Sequence, residues 1–225
     1  VRLAGAAALA LSLWVAQAEA ACRQALALGL DVSGSVDGAE YRLQLDGLAA
    51  ALLHPEVQGA LFAMPEAPVA LAVYEWSGPE AQRVLVPWTT VDGPGALAGV
   101  AARLEGTARV GGETSTAIGA AKQFGAGLLA QQPGCWRQVL DVSGDGTSNT
   151  GPRPQFVRPE AITINGLVIG PGTADGVGAL AGYYEAYVVQ GADAFVETAA
   201  GFADFEEAMV RKLKRELQVL VVSAR

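Results

Sequence analysis

Apolar runs of strand length alternate along this chain with segments whose apolar residues recur every three or four positions. The longest runs are 25–30, 69–76, 136–143 and 161–169. Near-continuous apolar strands are buried on both faces. Residues 83–88 form a shorter, alternating run, and 194–196 a short edge strand. Between the strands the period changes. Tyr41, Leu45, Leu48, Ala49 and Leu52 make one helical stripe, which His54-Pro55 ends. Residues 56–64 predict a short helix, 92–104 a weak one rich in Ala and Gly, and 117–130 a third with Ile118, Ala121, Phe124, Leu128 and Leu129 in step. Residues 177–189 carry Tyr183, Tyr184 and Tyr187 on a further helix. The last helix, 202–217, sets Phe202, Phe205, Met209 and Leu213 on one face. Its acidic residues lie early and Arg211, Lys212, Lys214 and Arg215 late, which complements the helix dipole and reads as a solvated face.

Strands alternating with helices predict an α/β fold, doubly wound, with a mainly parallel central sheet and helices on both faces. One connection departs from the pattern. Residues 151–159 hold three prolines, so the crossover into the strand at 161–169 is a loop or a single turn. Residues 170–178 read as another loop.

Residues 1–20 resemble a secretory signal. Arg2 is followed by an apolar stretch, and Ala18-Glu19-Ala20 offers a small-x-small cleavage site before Ala21. Residues 21–225 then form a single domain, expected to be periplasmic or secreted, with no membrane span. Lipid attachment at Cys22 fits less well, because Glu19 stands where an apolar residue is expected. Half the residues are hydrophobic, enough for a core on both sides of a sheet. The net charge of -8 argues against nucleic acid and anionic membranes as partners. Two cysteines, Cys22 and Cys135, suggest one disulfide in an exported chain, against two buried thiols. His54 is the lone histidine and reads as a polar helix end.

The chemistry concentrates in Asp31-Val32-Ser33-Gly34-Ser35, between the first strand and the helix entered through Asp37-Gly38-Ala39-Glu40. In a near-extended segment, residues at i, i+2 and i+4 share a side. One carboxylate and two hydroxyls there are hard ligands suited to Mg²⁺, which keeps several of its waters. The same pentapeptide also suits a turn whose hydroxyls cap the helix. Enzymatic signatures are missing: no Gly-x-Ser-x-Gly elbow, no phosphate-binding loop, no zinc-spaced His/Cys set.

Asp31-x-Ser33-x-Ser35 resembles the first motif of the von Willebrand factor A domain, its metal-ion-dependent adhesion site (MIDAS). The resemblance implies a threonine and a second aspartate from distant loops. Thr116, in Thr116-Ala117-Ile118-Gly119, matches better than Thr114, although Thr116 also suits a helix N-cap. Asp145, in Gly144-Asp145-Gly146, takes the aspartate position but also suits a turn, and Asp141 is a second candidate lying deeper in the strand. The implied ligand set is Asp31, Ser33, Ser35, Thr116 and Asp145, around Mg²⁺ or else Mn²⁺ or Ca²⁺. From Asp31–Val36 through Glu75–Gly78, Val86–Thr89, Thr163–Leu167 and Ala200–Phe205, the order of short motifs resembles a bacterial branch of that family, DUF1194, exported and without assigned activity. The resemblance implies a non-enzymatic protein-binding module engaging an Asp or Glu of a partner. A metal-dependent hydrolase using the same carboxylates, and a structural domain with a vacant site, are the alternatives. It also implies that the strands ending at Asp31 and near Asp145 are neighbours. Cys22 and Cys135 then sit at one edge of the sheet and form the disulfide.

Overall fold

The computed structural model describes residues 21–171, 174–191 and 193–218; the expected leader lies outside them. In chain order the elements are β1 (Gln24–Asp31), α1 (Gly38–Leu53), α2 (Pro55–Leu61), β2 (Val69–Trp76), β3 (Gln82–Val91), α3 (Pro94–Glu105), α4 (Ile118–Leu129), β4 (Gln138–Gly144), β5 (Ile162–Ile169), α5 (Ala174–Tyr187), β6 (Val196–Ala199) and α6 (Phe205–Glu216). The strands form one sheet in the order β3-β2-β1-β4-β5-β6. Every neighbouring pair is parallel except β2 with β3, which is an antiparallel hairpin at one edge. The predicted doubly wound, mainly parallel sheet is therefore the observed one.

β1 sits at the centre because both of its faces are apolar. Leu26, Leu28 and Leu30 enter the core shared with α1, α2, α3 and α6. Ala25 and Ala27 face the other way, into a core with Tyr74, Ile118, Ala121, Leu140 and Tyr184. Each fully buried leucine contributes roughly 1.5–3 kcal/mol of transfer free energy. Strand order reverses between β1 and β4, the place where sheets of this kind form a crevice at the strands' carboxyl ends.

Several boundaries differ from the sequence reading. β3 runs on to Val91, because its edge pairing with β2 continues past two register shifts. The β4–β5 connection carries only the 3-10 turn Pro154–Phe156, as the prolines require. α5 begins at Ala174, inside the expected loop, and β6 is displaced to Val196–Ala199. Residues 202–204 form a 3-10 turn ahead of α6.

The larger correction concerns α6. Lys212 is not on a solvated face. It is fully buried, and its Nζ lies 2.6 Å from Asp141 Oδ2 in β4 and 2.5 Å from Glu216 Oε1. Asn165 Nδ2 of β5 donates to that same Glu216 oxygen at 2.6 Å. Helical geometry explains this: 205, 209, 212, 213 and 216 fall on one stripe, so Lys212 faces the sheet with Phe205 and Met209. Asp141 interrupts an apolar strand at the position this lysine reaches.

The Cys22–Cys135 disulfide is formed, with Cα atoms 4.5 Å apart, and the two residues also make a parallel β-bridge. It fastens the entrance of β1 to that of β4.

Two stability predictions follow from these contacts. Replacing both Cys22 and Cys135 by serine is expected to lower the unfolding free energy by about 4–5 kcal/mol, since the bridge closes a loop of 113 residues. Denaturant titration of the variant against the oxidised protein measures this. Lys212→Ala leaves two buried carboxylates without their cation, and is expected to cost about 3–5 kcal/mol in the same assay.

Candidate functional site

The crevice is built by three loops. The first begins where β1 delivers Asp31, fully buried, to the carboxyl edge. Asp31 Oδ1 accepts the Ser33 backbone N–H at 2.7 Å, and Asp31 O accepts Gln44 Nε2 of α1 at 2.9 Å. The turn is pinned at Gly34, whose N–H donates to Thr114 O at 3.1 Å. A Cβ on Gly34 would lie 2.8 Å from that oxygen, so the close approach of the second loop requires glycine. Asp37 caps α1, accepting from Ala39 N and Glu40 N at 2.7 and 2.8 Å, while Glu40 accepts from Asp37 N. Neither serine is used as the cap.

The hydroxyls bond to each other and to Asp145 instead. Ser33 Oγ and Ser35 Oγ are 3.3 Å apart, and Ser35 Oγ donates to Asp145 Oδ1 at 2.7 Å. Asp145 follows Gly144, the last residue of β4. Asp31, Ser33, Ser35 and Asp145 are thus joined by hydrogen bonds, although 110 residues separate the last two.

Thr116 occupies the same edge by a different route. Its N–H donates to Asn149 Oδ1 at 2.9 Å, and its carbonyl accepts Asn149 N at 2.9 Å and Ser148 Oγ at 3.3 Å. These bonds fasten the loop before α4 to the loop carrying Asp145. Thr116 is not the N-cap: Ala117 holds that position, with no side-chain capping bond. No hydrogen bond joins the Thr116 hydroxyl to the other four residues among those described. Thr114 serves through its backbone, and Asp141 lies below the site, committed to Lys212.

The charged side chains of the expected ligand set, Asp31 and Asp145, are both acidic. Burial pushes the Asp31 carboxyl up to about 7, helped by the neighbouring Asp145 charge and opposed by the hydrogen bonds from Ser33. Asp31 Oδ2 is buried without a hydrogen-bond partner. Among the described residues no lysine or arginine forms an ion pair with Asp31 or Asp145. Nor do three or more His, Cys, Asp or Glu side chains gather into a cluster there. The donor set is two carboxylates and hydroxyls, all oxygen.

Sequence reasoning missed three supports of this site. Gln44 holds the Asp31 carbonyl, Asn149 holds Thr116, and the Tyr184 hydroxyl of α5 reaches Gly144 beside Asp31. Gln44 and Tyr184 fall among the buried positions of their helices, a visible signal. Asn149 carries none.

Comparison with known proteins is consistent with this architecture. The family model DUF1194, described as a protein of unknown function, matches residues 21–221. No curated protein matches the chain. Among solved structures, similar folds include proximal thread matrix protein 1 from the mussel byssus, in a form with a zinc-occupied MIDAS motif (TM-score 0.62, 16% identity, 88% of this chain and 48% of that one). A von Willebrand factor type A protein from Catenulispora acidiphila aligns at TM-score 0.58 and 13% identity, over 87% of this chain and 43% of that one. The pilus adhesin SpaC from Lactobacillus rhamnosus GG aligns at 0.59 and 11%, over 88% and 31%. The chain spans less than half the length of each. At these identities the likeness establishes the von Willebrand factor A fold.

The raised Asp31 carboxyl has a measurable consequence. The unfolded chain releases this proton near pH 4 and the folded chain near 7, so between them the folded state binds more protons. Stability is therefore lost as pH rises through this window. In chelator, unfolding free energy is expected to fall between pH 4 and 7 by up to about 4 kcal/mol from this group. Asp31→Asn should remove that part of the slope, measured as the difference between the two pH profiles.

Proposed function

Because the chain belongs to the DUF1194 family, whose description assigns no activity, function has to be read from its own residues, and we propose that it is an exported, metal-dependent protein-binding module. Asp31, Ser33, Ser35, Thr116 and Asp145 hold the metal, and an acidic side chain of a partner protein completes its shell. The observation that carries this reading is the Ser35–Asp145 hydrogen bond. It draws two separate loops together around two carboxylates that no cation among the described residues pairs with.

The residues fit a divalent ion on three counts. Asp31 Oδ2 is a buried carboxyl oxygen without a hydrogen-bond partner. The serine hydroxyls are free of capping duty, since Asp37 performs it. The donors are hard oxygens, which favour Mg²⁺, with Mn²⁺ or Ca²⁺ as alternates, over softer metals. When bound, the metal supplies an electrophilic charge at the crevice mouth. The chain's own residues orient around that position. Ser33 N fixes Asp31 Oδ1, Thr114 O fixes the turn at Gly34, and the N-terminus of α1 adds positive potential on the same side. An incoming carboxylate is favoured there despite the overall charge of -8.

A hydrolytic reading would need a base beside a nucleophile. In the ligand set the Ser35 hydroxyl is bonded to a carboxylate, that of Asp145, and the metal reading uses both as ligands; the histidine, His54, caps α2 instead, with its Nδ1 accepting from Glu56 N. With both groups committed to the metal, binding is favoured over turnover. Export is supported by the Cys22–Cys135 disulfide, which suits an oxidising compartment. Among the described residues no helix is long and apolar enough to cross a membrane.

Calorimetric titration with Mg²⁺ and Mn²⁺ tests the reading. Asp31→Ala and Asp145→Ala are each expected to abolish binding while the circular dichroism spectrum is retained. Ser33→Ala, which removes a neutral ligand, should weaken it less. Proton competition at Asp31 should make wild-type affinity rise as pH increases through about 7. Heat of binding unchanged by both aspartate substitutions would refute the assignment, as would partner affinity unaltered by excess chelator.

A further inference from the structure

We propose that Tyr184 of α5 is a positioning residue for this site, holding the free oxygen of Asp31 through one bridging water. The inference rests on the metal reading above and extends it to a helix that supplies no ligand.

Tyr184 is fully buried in the core formed with Val142, Val168 and Val188, and its hydroxyl has no hydrogen-bond partner. Leaving a buried hydroxyl unpaired costs roughly 1–3 kcal/mol, and a phenylalanine would fill the same apolar space without that cost. The phenol needs a polar neighbour, and the nearest candidate is equally unpaired. Asp31 Oδ2 is buried without a partner on the same face of Gly144. A Cβ built on Gly144 would lie 2.5 Å from the Tyr184 oxygen and 2.9 Å from Asp31 Oδ2. The two atoms therefore flank one point on the bare face of Gly144, yet do not bond directly. A buried water needs two to four polar partners, and this spot provides a donor and a charged acceptor. After burial, the largest influence holding the Tyr184 phenol up is the Asp31 charge, followed by that of Asp145.

With this bridge both oxygens of Asp31 are held: Oδ1 by the Ser33 N–H and Oδ2 from below by Tyr184. The adjacent residue adds a second hold. Tyr183 Oη accepts the Ser148 N–H at 3.3 Å, three residues beyond Asp145. Consecutive tyrosines of α5 thus reach both aspartate-bearing regions, and the helix braces the site from behind. Gly144 is the residue that makes this possible, since any side chain there would occupy the bridge.

The test is Tyr184→Phe, with Tyr187→Phe, an exposed neighbour on the same helix, as control. Mg²⁺ and Mn²⁺ dissociation constants are measured by calorimetry, the thermal midpoint is measured in chelator, and the tyrosine difference absorbance is recorded on adding metal. Removing the hold on a ligand's outer side is expected to raise the Tyr184→Phe dissociation constants about 10- to 100-fold. The chelator midpoint should be maintained, and the metal-induced tyrosine signal of the wild type should disappear. Tyr187→Phe should match the wild type in all three. Equal affinity in wild type and Tyr184→Phe overturns the proposal and leaves the metal reading intact. A lowered chelator midpoint with unchanged affinity also overturns it, since that is the mark of packing alone. A wild type that binds neither metal overturns both.

Discussion

The pairing of β1 with β4 is the constraint on which the rest depends. Leu28 lies opposite Asp141, and Leu30 opposite Ser143. At this seam strand order reverses, so chain leaves the two strands in opposite directions and the crevice between them stays open. One end of the seam carries the disulfide and the other carries Asp31 and Asp145. The parallel register means that what fixes the entrances also fixes the exits. A slip of one residue would turn Asp31 out of the crevice and bring an alternate side chain in.

Charge is distributed along the same seam. Asp31, at the exit of β1, has no cation partner among the described residues, whereas Asp141, deeper in β4, shares Lys212 with Glu216. Glu75, at the end of β2, accepts from the Tyr41 hydroxyl at 2.9 Å and from Arg83 at 2.7 Å. The buried carboxylates Glu75, Asp141 and Glu216 therefore each have a cation in the fold. Among the described residues Asp31 is paired with none. That contrast separates structural acids from the candidate functional one on physical grounds.

Much of this could be read before any coordinates. The bounds of β2 agree with the expected run, because a strand buried on both faces shows as uninterrupted apolar residues. The Asp31 motif was legible because its three oxygen-bearing residues are local. The seam itself was not: pairing across the chain came from resemblance to a family, not from periodicity. Lys212 was misread because a charged residue near a helix end usually faces water. Its place on the stripe with Phe205 and Met209, and the lone acid inside β4, together pointed to the buried pair. The role of Thr116 was legible only as a position, since its backbone bonds depend on Asn149, whose identity carries no pattern.

The disulfide also bears on how the molecule is made. Its cysteines are 113 residues apart, so β1 waits for its second neighbour until nearly two thirds of the chain is in hand. Until then the hairpin of β2 and β3 can cover only one of its edges, and the other presents a row of unpaired amides flanked by leucines. Parallel pairing over such a distance is intrinsically slow, and an open apolar edge invites association with other chains. Oxidation of the two thiols together, by the two-electron oxidant that an oxidising compartment supplies, converts that late encounter into a permanent one. In an oxidising compartment the same bond acts as a ratchet on assembly, locking the sheet's centre once β4 has docked.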